Sequence, residues 1–418
     1  MWAVVAASGY KQAMESSDIR TEFLSAMAGA LSRYGETTDG IEGPLRECAR
    51  RLGVEASFFA VPTAVFASYR HNFEEQTVLV RTMDSGIDLH TLDLLDKTLS
   101  DVTHRRKSAA QGLAEVRLIT SSPLRFPWYM RVLASGLGAA AFSVFLGGGV
   151  REIVAAVPVG LTVGLLATWA RRNQSRSALL ELVAGFLAAV LTLSLGHVLP
   201  HFHLATVVLA GLILLLPGLT LTLGVSELAS RHLVAGSARL AGAVIALTSL
   251  GFGVAVGYAV FTKFGWVPPL GPGRDAAGHL LTAVAVIASS LALMVTTNSR
   301  PRDIAVIIAA VAVAAYGARF GAWLIGPTVG VILAAVLLGL ASNAWARLTS
   351  RPAAIPLVPG LAALVPGALG FRGISAFLRE ATGSLQILGV VLVIAGGLVV
   401  GLLVADAALP SRRPLKNQ

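Results

Sequence analysis

Pro217-Gly218-Leu219-Thr220-Leu221-Thr222-Leu223-Gly224-Val225-Ser226 interrupts one long apolar stretch, and Pro366-Gly367-Ala368-Leu369-Gly370-Phe371-Arg372-Gly373-Ile374-Ser375 interrupts another. Pro217-Gly218 falls on Pro366-Gly367 at an offset of 149 residues, and Gly224-Val225-Ser226 falls on Gly373-Ile374-Ser375 at the same offset. Proline removes a backbone donor and glycine permits an unwound turn, so each pair frees polar backbone in a setting that offers no water. Freed backbone at membrane depth is tolerated where it lines a cavity or finds other partners. Two interrupted spans at corresponding positions of two halves are the sequence pointer to a transporter site near the bilayer midplane.

Working outward, apolar runs fall at roughly 130–148, 153–170, 179–198, 204–222, 237–260, 277–297, 303–323, 326–347, 353–370 and 385–405. Each is near the length a helix needs to cross hydrocarbon. At the repeat offset the third span falls on the eighth and the first on the sixth. With five spans per half, the second half inserts upside down relative to the first. The expected fold is therefore a polytopic α-helical membrane protein, ten transmembrane helices in an inverted repeat of five plus five, behind a soluble α+β N-terminal domain. The expected divisions are 1–125 for the cytoplasmic α+β domain, 126–262 for the first membrane repeat, and 263–418 for the second repeat with a short cytoplasmic tail.

Composition agrees with lipid as the solvent: 13% of residues are charged, 55% are hydrophobic, and the mean hydropathy is +0.72. Most acidic residues lie before Pro127. The net charge of +10 comes with no basic block interleaved with aromatics, which argues against nucleic acid as a partner. Arg171, Arg172, Arg176, Arg231, Arg239, Arg300, Arg302, Arg347, Arg351, Arg412, Arg413 and Lys416 gather on the side of the N-terminal domain, against Arg151, Lys263, Arg274, Arg372 and Arg379 opposite. The positive-inside rule makes the richer side cytoplasmic, so both termini are expected there, in the inner (plasma) membrane. The start, Met1-Trp2-Ala3-Val4-Val5-Ala6-Ala7-Ser8, has no basic n-region, so the N-terminal domain is expected to stay in the cytoplasm.

In that domain, Phe23, Leu24, Met27, Ala30 and Leu31 recur at helical spacing over 19–33. A second helix is expected from Thr38 to Leu52, stopped by Gly53. Strands follow at 56–61, 64–69 and 77–81, then a helix over 88–102 with Asp88 as its N-cap. The single cysteine, Cys48, cannot form an intrachain disulfide. His71, His90 and His104 are scattered, and Pro200 disrupts the spacing of His197, His201 and His203, so neither group predicts a metal site. No phosphate loop, dinucleotide fingerprint or nucleophile-and-base arrangement is found, and neither enzymatic activity nor a cofactor is expected.

A half-helix restarting after each break would turn its N–H groups and positive dipole end toward the cavity, which favours an anionic group such as a carboxylate. The substrate-binding candidates are Pro217, Gly218, Thr220, Thr222, Ser226, Pro366, Gly367, Arg372 and Ser375. The hydroxyls among them have a plainer alternative, bonding the carbonyl one turn back. Charges at membrane depth are candidates by their cost, so Glu227, Arg239 and Arg319 are marked for proton coupling or charge pairing. Glu227 either carries a proton or substrate ammonium, or forms an interfacial salt bridge with Arg231 or Arg239. Arg319 is a buried counter-ion or snorkels outward, and Asp406 marks a membrane exit.

These residues resemble the threonine/serine exporter family over nearly the whole chain. Tyr34-Gly35-Glu36-Thr37 with Ile41-Glu42, Arg50 and Gly53 is similar to the family's opening pattern. Gly86-Ile87-Asp88-Leu89 resembles its Gly-Ile-Asn-Leu stretch, with Asp for Asn. Pro217-Gly218-Leu219-Thr220-Leu221-Thr222 with Gly236 and Arg239 is similar to its Pro-Gly break and Gly-x-x-Arg turn, though Leu223 replaces a polar residue and Glu227 an aspartate. Leu364-Val365-Pro366-Gly367 resembles the second membrane unit. The resemblance implies export of threonine, serine and other small amino acids driven by the proton motive force. Split relatives imply the alternative of dicarboxylate export, such as succinate. A reading of another class is a membrane-tethered enzyme or sensor whose spans only anchor it. The expected partners are a small-molecule substrate (amino acid or carboxylate), protons and the lipid bilayer, and an oligomer is compatible with all three readings.

Overall fold

The computed structural model describes residues 19–71, 74–82, 86–171, 179–199, 201–265, 278–324, 326–364 and 384–410. The second break, with Pro366, Gly367, Arg372 and Ser375, lies outside the described residues. The chain divides into two compact units, Met1–Leu124 with Ser230–Ala238, and Arg125–Ala229 with Arg239–Gln418.

The first unit is α+β. Helix α1 spans 19–33 and buries Phe23, Leu24, Met27, Ala30 and Leu31, the face its spacing marks out. Helix α2, Thr38–Leu52, starts where the Thr37 hydroxyl accepts the Gly40 N–H at 3.1 Å. It ends at Gly53, whose φ of 72° suits a residue without Cβ. Strands β1 (Glu55–Val61), β2 (Ala64–His71) and β3 (Glu74–Arg81) form an antiparallel sheet in the order β1-β2-β3. Phe58 pairs with Ala67, and Val65 with Val80. Phe58, Ala60, Val65, Ala67 and Tyr69 are buried, while Phe59, Phe66 and Leu79 are exposed, so the sheet keeps two distinct faces. The Tyr69 hydroxyl lies 2.7 Å from Ser25 Oγ and donates to Thr21 O at 3.2 Å, and burial pushes its pKa up to about 12. Helix α3, Leu89–Thr103, is capped by Asp88, which accepts the Thr91 N–H at 2.9 Å. Helix α4, Ala109–Ser121, opens with a reciprocal capping box between Ser108 and Gln111. Sequence spacing did not single out α4. Its apolar side, Leu113, Val116 and Ile119, is short. The segment Ser230–Ala238 also belongs to this unit, and His232 Nε2 lies 2.6 Å from Asp39 Oδ1 in the first turn of α2.

The second unit is helical: α5 (Trp128–Phe145), α6 (Val150–Ala170), α7 (Leu180–Val198), α8 (Leu204–Leu212), α9 (Gly218–Ala229), α10 (Leu233–Lys263, whose first turns lie in the other unit), α11 (His279–Thr296), α12 (Ile304–Leu324, after a 3-10 turn at Pro301–Asp303), α13 (Pro327–Thr349), α14 (Ala354–Ala363) and α15 (Ser384–Ala408). Among the described residues, seven helices are long and apolar enough to cross a membrane: α5, α6, α7, α10, α11, α12 with its 3-10 turn, and α13. Shorter apolar helices are Gly218–Ala229, Ala354–Ala363 and the Gly396–Ala408 part of α15. The chain is thus a polytopic membrane protein, with a core of Phe142, Val159, Leu209, Leu212, Leu250, Leu293, Ile307 and Leu338.

Close approach replaces hydrophobic driving force where every side chain is apolar. Helices α7 and α10 meet through Gly185, Gly253 and Gly257; a Cβ on Gly253 would run into the Leu182 carbonyl oxygen, and one on Gly185 into that of Leu250. Helices α13 and α15 meet through Gly339, Gly397 and Gly401; a Cβ on Gly339 would lie 2.6 Å from Ala405 Cβ.

Candidate functional site at the first break

The expected span at 204–222 is two helices. Helix α8 ends at Leu212, residues 213–217 turn, and α9 runs on to Ala229, past the expected boundary. Pro217 has no N–H to give α8, and Leu216 N–H returns to Leu212 O at 3.1 Å. The restart is visible in the backbone: Gly218 N–H donates to Leu216 O at 2.8 Å and Leu221 N–H to Pro217 O at 2.9 Å. The Leu219 and Thr220 donors therefore stand at a helix start, where no intrahelical acceptor exists.

The turn of the break lies beside the contact between α5 and α11. Helices α5 and α11 pack together, and a Cβ on Gly138 of α5 would lie 3.4 Å from Ala292 Cβ of α11 and 3.7 Å from Leu214 Cδ1 of the turn. Helix α9 in turn packs against α14 and α15. The interrupted segment thus touches helices from both parts of the chain.

Among the marked side chains, Thr222 is fully buried, and its hydroxyl donates to the Gly218 carbonyl at 3.0 Å, the plainer of its two readings. Thr220 and Ser226 are half-buried on α9. Glu227 is buried, and Arg239 Nε donates to its Oε2 at 2.9 Å, with side-chain exposures of 5% and 17%. That geometry closes a salt bridge between the end of α9 and α10, with Arg239 rather than Arg231 as partner. Arg319 is not brought there. It is exposed on α12 among Tyr316, Phe320 and Trp323, an aromatic setting suited to a side chain that reaches for the interface. Asp406 accepts from Asn343 Nδ2 at 2.6 Å. Among the described residues no group of three His, Cys, Asp or Glu side chains could hold a metal ion.

Two buried carboxylates described in the second unit are not among the residues that the sequence marks. Glu152 accepts the Gly149 N–H and the His203 N–H, each at 2.9 Å. Asp303 accepts both Arg351 guanidinium N–H groups, at 2.6 and 2.8 Å. Both stand at the edges of apolar runs, where an acidic residue looks like an ordinary boundary. The Gly-x-x-Glu capping pattern at Gly149 was the available signal.

Comparison with known proteins gives this geometry a family. The model described as "Putative threonine/serine exporter" matches residues 22–261, and the one described as "Threonine/Serine exporter, ThrE" matches residues 279–408. An uncharacterized protein of Schizosaccharomyces pombe is 27% identical over 395 residues, covering 88% of this chain and 46% of its own length. A pheromone-regulated membrane protein 10 of Eremothecium gossypii is 26% identical over 374 residues, covering 84% of this chain and 49% of its own length. The chain thus spans about half the length of these curated relatives. No solved structure matches. Because the two models together cover the first unit, the break and most of the helices beyond it, the chain belongs to the threonine/serine exporter family.

Proposed function

We propose that the chain is a secondary exporter of small amino acids, threonine and serine foremost, driven by the proton motive force. The observation that carries this reading is the interrupted span. Its turn lies with Leu214 beside Gly138 of α5, where α5 meets α11, its restart leaves backbone donors free of the helix, and a buried Glu227–Arg239 pair lies near the end of the restarted helix. An anchor for an enzyme or sensor has no need of a broken helix or a buried ion pair, both of which cost free energy in lipid.

In this reading ten spans form an inverted repeat. The α5–α11 crossing marks its pseudo-two-fold axis, and the second break completes the site from the other half. The glycine seams support it, since the third and fifth spans of one half (α7, α10) meet as those of the other do (α13, α15). The donors at the start of α9 hold the substrate carboxylate, and Glu227 passes between Arg239 and a proton as the repeats rock. The first unit is a soluble domain on the cytoplasmic side of the plasma membrane, with both termini on that side. No cofactor and no second macromolecule are needed.

Proteoliposomes loaded with labelled threonine, serine or succinate and given a proton gradient test this directly. Gradient-dependent efflux of threonine or serine is expected; efflux of succinate alone would move the assignment to dicarboxylates, and efflux of none would end the exporter reading. Glu227→Gln is expected to abolish the gradient's effect while leaving substrate exchange. Unchanged coupling would remove Glu227 from the proton path.

A further inference from the structure

Glu152 and Asp303 occupy the same place in the two parts of the second unit. Glu152 sits in the first turn of α6 and accepts the N–H of His203, the residue that precedes α8. Asp303 ends the turn that opens α12 and holds Arg351, which stands shortly before α14 and also lies over the Trp345 ring, 5.3 Å from its centroid. The carboxylates are 151 residues apart and their partners 148, on either side of the 149 that separates the two Pro-Gly pairs. Both carboxylates are nearly inaccessible, at 4% and 5%. In each case an acidic side chain ties the start of one long helix to the start, or the residues just before the start, of the helix that precedes a marked proline-glycine pair in the sequence.

We propose that Glu152 and Asp303 are equivalent positioning residues, each fixing the entry of one interrupted span, and that they act at opposite faces of the membrane. The proposal rests on the exporter reading for its purpose, since holding and releasing each entry in turn is what alternating access requires. The two anchors differ in chemistry. Asp303 is held by a bidentate guanidinium, whereas Glu152 is held by two backbone N–H groups, one of them that of the solvent-exposed His203. Neutralising Glu152 leaves no buried charge behind. Neutralising Asp303 alone would take the carboxylate away from the partly buried Arg351, so both members of that pair are changed together.

The test uses the full chain with Cys48→Ser and a reporter, Leu215→Cys, in the turn of the first break. Labelling by a membrane-impermeant maleimide is followed in right-side-out and inside-out vesicles. Glu152→Gln is expected to raise the labelling rate from one side about threefold or more, and Asp303→Asn with Arg351→Gln from the other side, as a population shift between two accessible states would. Glu152→Asp, which keeps the charge, is expected to return the rate toward that of the parent. A purely structural loss would open both sides together. Increases from the same side, or no change in variants that extract from the membrane as monodisperse protein, would overturn the proposal. Threonine efflux from the same vesicles is read separately: opposed labelling without efflux keeps the anchors and sinks the substrate, while efflux with same-sided labelling does the reverse.

Discussion

At the scale of single residues, the Glu227–Arg239 pair shows what sequence can and cannot announce. A carboxylate at the end of an apolar run is visible because charge is costly there, and the cost alone limits its partners to a nearby cation. Which cation remains open in the sequence, since Arg231 and Arg239 are both close. The structure chooses Arg239, because α10 carries its side chain inward, while Arg231 sits exposed in the turn with a φ of 67°. Breaking a buried pair by removing one partner leaves an uncompensated charge and costs about 3–5 kcal/mol, much more than removing both. Arg239→Gln is therefore expected to lower the thermal midpoint in detergent substantially, and Glu227→Gln/Arg239→Gln to recover a good part of the loss. A double variant as unstable as the single would show that Arg239 acts through other contacts. Thr222 makes a similar point: the sequence leaves its hydroxyl two readings, substrate or the carbonyl one turn back, and in the structure the Gly218 carbonyl takes it.

At the scale of elements, legibility follows local signals. Helix α2 matches the sequence reading at both ends because Thr37 and Gly53 are cap residues with a physical reason to stop a helix. The first break also follows from chemistry local to Pro217. The glycine seams do not, since glycine is common in membrane helices and its partner lies on a helix dozens of residues away. The same helix, α10, supplies both the test and its control. A Cβ on Gly253 would run into the Leu182 backbone, whereas one on Gly242 would meet nothing within 4 Å. Gly253→Ala is expected to destabilise by about 1–3 kcal/mol through overpacking, read as a lower unfolding midpoint. Gly242→Ala should be neutral or mildly stabilising, because alanine is the better helix former by about 1 kcal/mol. Equal effects at the two sites would mean that the α7–α10 seam is looser than its geometry indicates.

At the scale of the whole molecule, an inverted repeat is a statement about which helix ends share a side, and it can be tested without knowing the substrate. Helices α5 and α11, which head the two proposed halves, pack against each other. In the proposed repeat of five spans per half, equivalent helices run in opposite directions, so their corresponding ends face opposite compartments. Val150 opens α6 and Val198 closes α7, with exposures of 63% and 75%. These two ends are expected outside. Arg171, which follows α6, and Leu348, at the end of α13 with 86% exposure, are expected inside. Single cysteines at these four positions, in a Cys48→Ser background, should label in two pairs with an impermeant maleimide: Val150 and Val198 on intact cells, Arg171 and Leu348 only after permeabilisation. The decisive comparison is Val198 with Leu348. They close α7 and α13, which the 149-residue offset makes equivalent, and an inverted repeat must put them on opposite sides. Labelling of both from one side would make the repeat parallel or absent, and the two interrupted spans would then lose the symmetry that makes a shared central site.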